Sequence, residues 1–408
     1  LLLAALSAIG PFSIDTYLPS FRDIGQTFQA SPWLTQQTLT AYLLPFAAMT
    51  LWQGALSDSF GRRPVTLFML GVFAVASVGC MCAWSIGALI GFRVLQGLSA
   101  GAGMIIGRAI VRDLFAGAEA RRVMSQVAVV FAVAPAVAPI IGGWLHVWFG
   151  WRSVFGFLTV YAAGLWVTCW RRLPETLPPP RRHPLHPRTL LQGYRTVLGS
   201  ARFLALALAL TLNFSAVFLY IVSAPAFVLG ILHRGETEFF WLFGPIAAGM
   251  LAGTWLAGRT AGHWSNPRTL AVAYSIMASA AAANFLLNWL LPARLPWCMA
   301  PLTVYVLGNS LAMPSLTLMA LDLFPHRRGL AASCQGFVQT VGNTAVTALV
   351  APAVWGTARG LSGSMLALFV VGGTACLLQA LLPRLSSRSA ARRSRGKTAE
   401  SVPELANR

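Results

Sequence analysis

The sequence predicts an all-α membrane protein: twelve transmembrane helices in two six-helix bundles, with both termini cytoplasmic. Three observations lead there. The 408-residue chain is 56% hydrophobic and 10% charged, whereas a soluble domain carries about 25% charge, and its mean hydropathy is +0.66. Its apolar residues fall into runs near twenty long, the length a helix needs to cross the hydrocarbon core. Its basic residues collect in alternate breaks between those runs.

Reading breaks at charge clusters and at Pro/Gly turns places spans near 1–20, 32–56, 64–84, 86–112, 121–147 and 150–171. A polar segment with Pro178-Pro179-Pro180 follows. Six more spans lie near 203–228, 239–261, 268–291, 296–320, 328–352 and 360–383. The organisation is therefore an N-terminal bundle (1–171), a linker (172–202), a C-terminal bundle (203–383) and a basic tail (384–408). The halves share a short echo: Arg63-Pro64-Val65-Thr66-Leu67 after span 2, and Asn266-Pro267-Arg268-Thr269-Leu270 after span 8. Parallel six-helix repeats around a midplane site are a common transporter plan.

The charge of +19, from 30 Lys+Arg against 11 Asp+Glu, is read by its distribution. On the side of the linker the loops, linker and tail hold 23 basic residues, and the opposite loops hold five: Arg22, Arg152, Arg234, Arg294 and Arg359. Basic loops stay in the cytoplasm, so both ends are expected there. The charge is topology, not a nucleic-acid patch, although the tail can meet anionic lipid. Nucleotide binding through a P-loop is excluded, since that needs G-x-x-x-x-G-K-[ST]. The single lysine, Lys397, has Ala391 where the first glycine would stand. The six cysteines are scattered through apolar stretches and read as small buried hydrophobes. No metal site is expected, and no catalytic set: no H-E-x-x-H occurs, and no histidine follows the serine of Gly360-Leu361-Ser362-Gly363. The chain starts within an apolar run with no initiator methionine and no cleavable signal pattern, so its native start is expected upstream.

Ionisable groups inside a bilayer are costly and mark function by default. Asp15 in span 1 and Arg93 in span 4 sit at similar depth below the face opposite the linker. Burial disfavours a charged carboxylate and a nearby arginine favours it, so Asp15 can switch its charge as its surroundings change. A proton carrier requires that; the alternative is a static ion pair tying two helices. Gly54 to Pro64 forms the first loop on the linker side, where Gly54 and Gly61 allow a tight turn and Asp58 can pair with Arg62 and Arg63. That suits a latch between moving bundles. In span 5, Pro135 and Pro139 lie one turn apart before Gly142 and Gly143, which bends a helix and admits close neighbours. For a substrate cavity the candidates are Tyr42, Gln96, Asn213 and Asn309; the asparagines serve equally well as bonds between helices.

Together these residues resemble the major facilitator superfamily. Gly54–Pro64 is similar to its motif A, Arg93-Val94-Leu95-Gln96-Gly97 to motif B, and Pro135–Gly143 to the antiporter motif C. More narrowly, Ile14–Pro19, Arg108–Asp113, Phe149–Arg152 and Leu173–Leu177 resemble the Bcr/CflA drug:proton antiporters, exporters of bicyclomycin and chloramphenicol. The resemblance implies that Asp58, Arg62 and Arg63 gate the cytoplasmic side, that Asp15 helps carry the proton and that Arg93 assists it. It further implies a monomeric multidrug antiporter of the bacterial inner membrane, contacting drug, protons and lipid. Such a protein needs no cofactor or ATP and works by alternating access. A proton-linked importer of a small metabolite on the same fold is the alternative.

Overall fold

The computed structural model describes residues 1–400 apart from His183; for residues 118, 121, 181 and 380–400 it describes the backbone only. The end of the predicted basic tail, 401–408, and the tail's side chains lie outside the described residues. Twelve helical spans are long and apolar enough to cross a membrane. Spans 1 to 6 are Leu2–Thr27, Pro32–Phe60, Arg62–Met81, Ile86–Leu114, Arg122–Phe149 and Arg152–Arg172. Spans 7 to 12 are Ala201–Val222, Phe240–Thr260, Asn266–Leu290, Ala300–Asp322, Pro325–Val354 and Ala358–Gln379. No strand occurs among the described residues.

The pairing of spans reveals a repeat. In the N-terminal half span 1 packs on spans 4, 5 and 6, span 2 on span 4, and span 3 on spans 4 and 6. Adding six to every number gives the pairs of the C-terminal half. Between halves, span 2 packs on span 11 and span 5 on span 8, a single contact seen twice through the pseudo-two-fold axis. The short echo in sequence thus marks the equivalent starts of spans 3 and 9.

Apolar packing gains little when lipid is the competing solvent, so close backbone approach and internal polar bonds hold such bundles together. Spans 2 and 4 show it: a Cβ on Gly97 would strike the backbone carbonyl of Tyr42. Buried asparagines serve the same end. Asn213 of span 7 donates to the Tyr274 hydroxyl of span 9 at 2.7 Å, and Asn284 of span 9 donates to the Tyr220 hydroxyl of span 7 at 2.8 Å.

Several spans differ from their sequence boundaries, and prolines and glycines account for two of the differences. Span 1 runs to Thr27 rather than to residue 20, as a helix Leu2–Asp15, a 3-10 turn Leu18–Ser20 and a helix Phe21–Thr27. Pro19 has no N–H for the Asp15 carbonyl four residues earlier, so the first helix ends at Asp15. Span 4 is broken at Gly101, between Ile86–Ala100 and Ala102–Leu114. The final helix continues to Glu400, past the expected limit of 383.

On the linker face the halves are closed together. The linker helix Pro187–Leu198 packs with spans 7, 10 and 11 in one apolar cluster, which Leu51 of span 2 joins. Its Tyr194 hydroxyl donates to the Leu51 carbonyl. Burial pushes this hydroxyl up to about 12, so it keeps its proton at neutral pH. Towards the opposite face, a cavity of about 740 Å³ separates the halves.

The Gly97 contact generates a test. Replacing Gly97 by leucine forces spans 2 and 4 apart, an overpacking effect of about 1–3 kcal/mol. A lower unfolding temperature in detergent is expected, with the exposed Gly91→Leu in the same helix as the unperturbed control.

Candidate functional site

Asp15 ends the first helical segment of span 1, where Pro19 breaks the helix, and it is 4% exposed. Its Oδ1 has no hydrogen-bond partner. Arg93 of span 4 is 0% exposed, yet it does not pair with Asp15: among the described residues no salt bridge involves either. Instead Nη1 donates to the Ser13 carbonyl at 3.1 Å and to Gln96 Oε1 at 2.9 Å. The guanidinium carbon lies 4.4 Å from the Tyr42 ring centroid and 4.8 Å from that of Tyr17, both rings facing it. Ring faces and carbonyls therefore surround this cation, although among the described residues its Nη2 has no hydrogen-bond partner, and the Asp15 carboxyl is not paired with it. The static ion pair that the sequence left open is not what the structure contains.

At the linker face, span 2 ends at Phe60 and span 3 begins at Arg62. Between them Gly61 has φ +102°, a backbone that side chains rarely adopt, and a Cβ there would strike Glu175. The Arg62 side chain is 8% exposed and bridges two acids, Asp58 at 2.5 Å and Asp113 of span 4 at 3.1 Å; it also donates to Ser57 Oγ at 2.6 Å. The start of the linker is stitched to this group. Glu175 accepts from the Arg62 backbone N–H at 3.0 Å, and Thr176 donates to Asp113 at 3.0 Å. Arg63 donates to the Trp170 carbonyl of span 6 at 2.7 Å. The residues expected to latch the two bundles to each other instead join spans 2, 3, 4 and 6 and the start of the linker within one half. Asp113 and Glu175 are members that the reading of the loop alone did not assign.

Span 5 is one continuous helix, Gly117–Phe149, with Pro135 and Pro139 inside it. Its end near the opposite face makes two close approaches. A Cβ on Gly142 would strike the Thr16 backbone carbonyl, adjoining Asp15, and one on Gly143 would strike the Glu236 carbonyl of the other half. One turn on, His146 is buried, with Nε2 3.3 Å from Asp23 of span 1 and 3.1 Å from Glu236. One imidazole nitrogen therefore faces a carboxylate from each half. The three ligating atoms lie within 4.8 Å of one another, a grouping that the expectation of no metal site did not foresee.

The cavity is lined from the N-terminal half by Phe21, Arg22, Gln26 and Gln36 among others, and from the C-terminal half by Ser223, Leu229 and Trp355. None of Tyr42, Gln96, Asn213 and Asn309 lines it. Tyr42 lies against Arg93, Gln96 donates on to Ser77 at 2.8 Å, and Asn213 bonds spans 7 and 9 together. Asn309 is buried within span 10.

Comparison with known proteins fits this architecture. The family model described as Major Facilitator Superfamily matches residues 1–347. The chain belongs to the major facilitator superfamily. It is 31% identical to an uncharacterised transporter of this superfamily, YdgK of Bacillus subtilis, over 86% of this chain and 87% of that one. It is 28% identical to multidrug resistance protein D of Escherichia coli, over 91% and 93%. A chloramphenicol resistance protein of Pseudomonas aeruginosa is 29% identical over 81% of this chain and 78% of that one. Among solved structures, a bacterial homologue of the lysosomal transporter Spinster, inward-facing and occupied, aligns with TM-score 0.69 at 17% identity, over 94% and 96%.

Membership in the superfamily makes the chain a multi-pass inner-membrane transporter and not an enzyme. The cluster that sequence reasoning missed, His146–Asp23–Glu236, joins residues far apart in the chain. For the cavity lining, the adjacent polar pair Gln36-Gln37 within span 2 was the available signal.

Arg62 is buried while its two acids, Asp58 and Asp113, are partly exposed, so water offsets part of the charge that loss of Arg62 strands. Arg62→Ala is expected to lower the unfolding temperature in detergent well below that of Asp58→Asn, because it strands two aspartates where the latter strands none. Arg62→Lys is expected to recover part of the loss, since an ammonium keeps the charge but not the fork.

Proposed function

We propose that this protein exports small amphiphilic drugs from the cytoplasm in exchange for protons, by alternating access and as a monomer driven by the proton gradient alone. The observation that carries the reading is Asp15: a buried carboxyl with an oxygen unpartnered among the described residues, at a helix break, while the bonds of Arg93 go to Ser13 and Gln96. The arginine bias assigns the linker face to the cytoplasm. In the arrangement described, that face is closed by span 2, the linker helix and span 11, while the cavity lies towards the outside.

From this state, a proton entering from the outside reaches Asp15 and neutralises it, removing the charge that burial penalises. The halves can then rock about the two-fold seams of spans 2–11 and 5–8. On the cytoplasmic side the proton leaves and drug takes its place. Arg93 holds the Ser13 carbonyl and so fixes the segment that carries Asp15. The Thr16–Gly142 approach couples that segment to span 5, which also touches the other half through Gly143. The names of the multidrug and chloramphenicol resistance relatives support the cargo class.

A drug-susceptibility panel in an efflux-deficient host tests this. The wild-type chain is expected to raise resistance to at least one amphiphilic antibiotic. Asp15→Asn, present in the membrane at equal amount, is expected to lose that resistance, as is wild type treated with an uncoupler. Equal resistance in wild type and Asp15→Asn would sink the proton role. In inverted vesicles, drug uptake driven by an imposed pH difference is the expected direction, and the reverse flux would make the protein an importer.

A further inference from the structure

The cavity has a charge and hydrogen-bonding character that narrows its cargo. One charged residue lines it, Arg22, and no carboxylate does. Arg22 is exposed, and among the described residues no carboxylate lies within 4 Å of it. The neighbouring acids, Asp23 and Glu236, are engaged by His146 and do not line the cavity.

Two buried polar side chains also line it without partners. Gln36 is 1% exposed, and neither its amide nitrogen nor its amide oxygen finds a hydrogen bond. Ser223 is 0% exposed, and its Oγ is unpartnered. Folded proteins pair nearly all such atoms, so each unmet group calls for an explanation. Gln36 comes from span 2 and Ser223 from the end of span 7, one from each half. Around them apolar Phe21, Ile231 and Trp355 share the walls with neutral Gln26, Gln29 and Thr35, and the volume of about 740 Å³ suits one drug-sized molecule.

We propose that this cavity is a binding site for an acidic amphiphile, an apolar body carrying one carboxylate and a neighbouring carbonyl or hydroxyl. The carboxylate pairs with Arg22 through charge-assisted hydrogen bonds. The second polar group takes up the Gln36 amide and the Ser223 hydroxyl, and the apolar body fills the space against Trp355. A lipophilic cation is rejected, because it would give up water of hydration in a site that offers a like charge and no counter-charge. The inference rests on the export reading for its physiological meaning, and it names the cargo of that reading. Binding itself does not depend on transport.

Equilibrium binding to the purified full-length protein in nanodiscs tests it, with three probes at neutral pH: nalidixic acid (a carboxylate), chloramphenicol (neutral) and ethidium (a cation). Wild type is expected to bind nalidixic acid and not ethidium. Arg22→Gln, a change at an exposed position, is expected to weaken nalidixic acid roughly tenfold, the loss of one charged contact, while chloramphenicol affinity stays unchanged. Gln36→Leu is expected to weaken nalidixic acid with Arg22 intact, and Arg22→Glu to admit ethidium. Ethidium binding wild type as tightly as nalidixic acid would overturn the proposal, as would nalidixic acid binding Arg22→Gln undiminished, or no binding of nalidixic acid to wild type. Carboxylate binding in a protein whose Asp15→Asn variant still confers full resistance would leave this site standing and overturn the proton role alone.

Discussion

The structure turns on how a guanidinium is kept in the middle of a lipid-facing bundle. Arg93 is wholly enclosed, and a bare charge in such a place is untenable. The N-terminal half meets it with two tyrosine faces, the Ser13 carbonyl and the Gln96 amide, recruited from spans 1, 2 and 4. Enclosing that one cation draws three helices together, although its Nη2 has no hydrogen-bond partner among the described residues. Asp15 likewise has no salt bridge and an unpartnered Oδ1 among those residues. In the proposed export cycle that incompletely satisfied carboxyl is the group that exchanges a proton.

A second constraint follows from the lipid environment. Helices in a bilayer come together through backbone contact, so the positions without side chains decide which helices touch. Gly142 and Gly143 are neighbours in sequence and point to different partners, Thr16 in the same half and Glu236 in the other. The helix that adjoins the acid is therefore the helix that adjoins the opposite bundle. His146, one turn further, adds an electrostatic contact to the same seam. In the proposed export cycle, one helix links movement at the acid to movement at the seam.

Much of this was legible in the chain. The number of spans follows from hydropathy, because it reports directly on the bilayer. Asp15, Arg93 and the Gly54–Pro64 loop stood out because charge is rare in so apolar a chain. What could not be read was partnership. The sequence places Asp15 and Arg93 at one depth, but depth does not say that Arg93 faces two tyrosine rings and not the acid. The cavity candidates failed for a related reason: a polar residue in an apolar run can face a cavity or another helix, and Gln96 and Asn213 face helices. Asp113, Glu175 and His146 act through residues distant in sequence, where spacing carries no information.

The linker has its own consequence. Its first residues are bound to the N-terminal half through Glu175 and Thr176, and its helix from Pro187 is packed on the C-terminal half. Residues 178–186 join these two attachments, with Arg182 tied back to Glu175 and Leu177. Nine residues at 3.3–3.6 Å each reach about 30 Å when extended. In the proposed export cycle that length bounds how widely the linker face opens, so a shortened connection throttles it without altering a single residue of the translocation path.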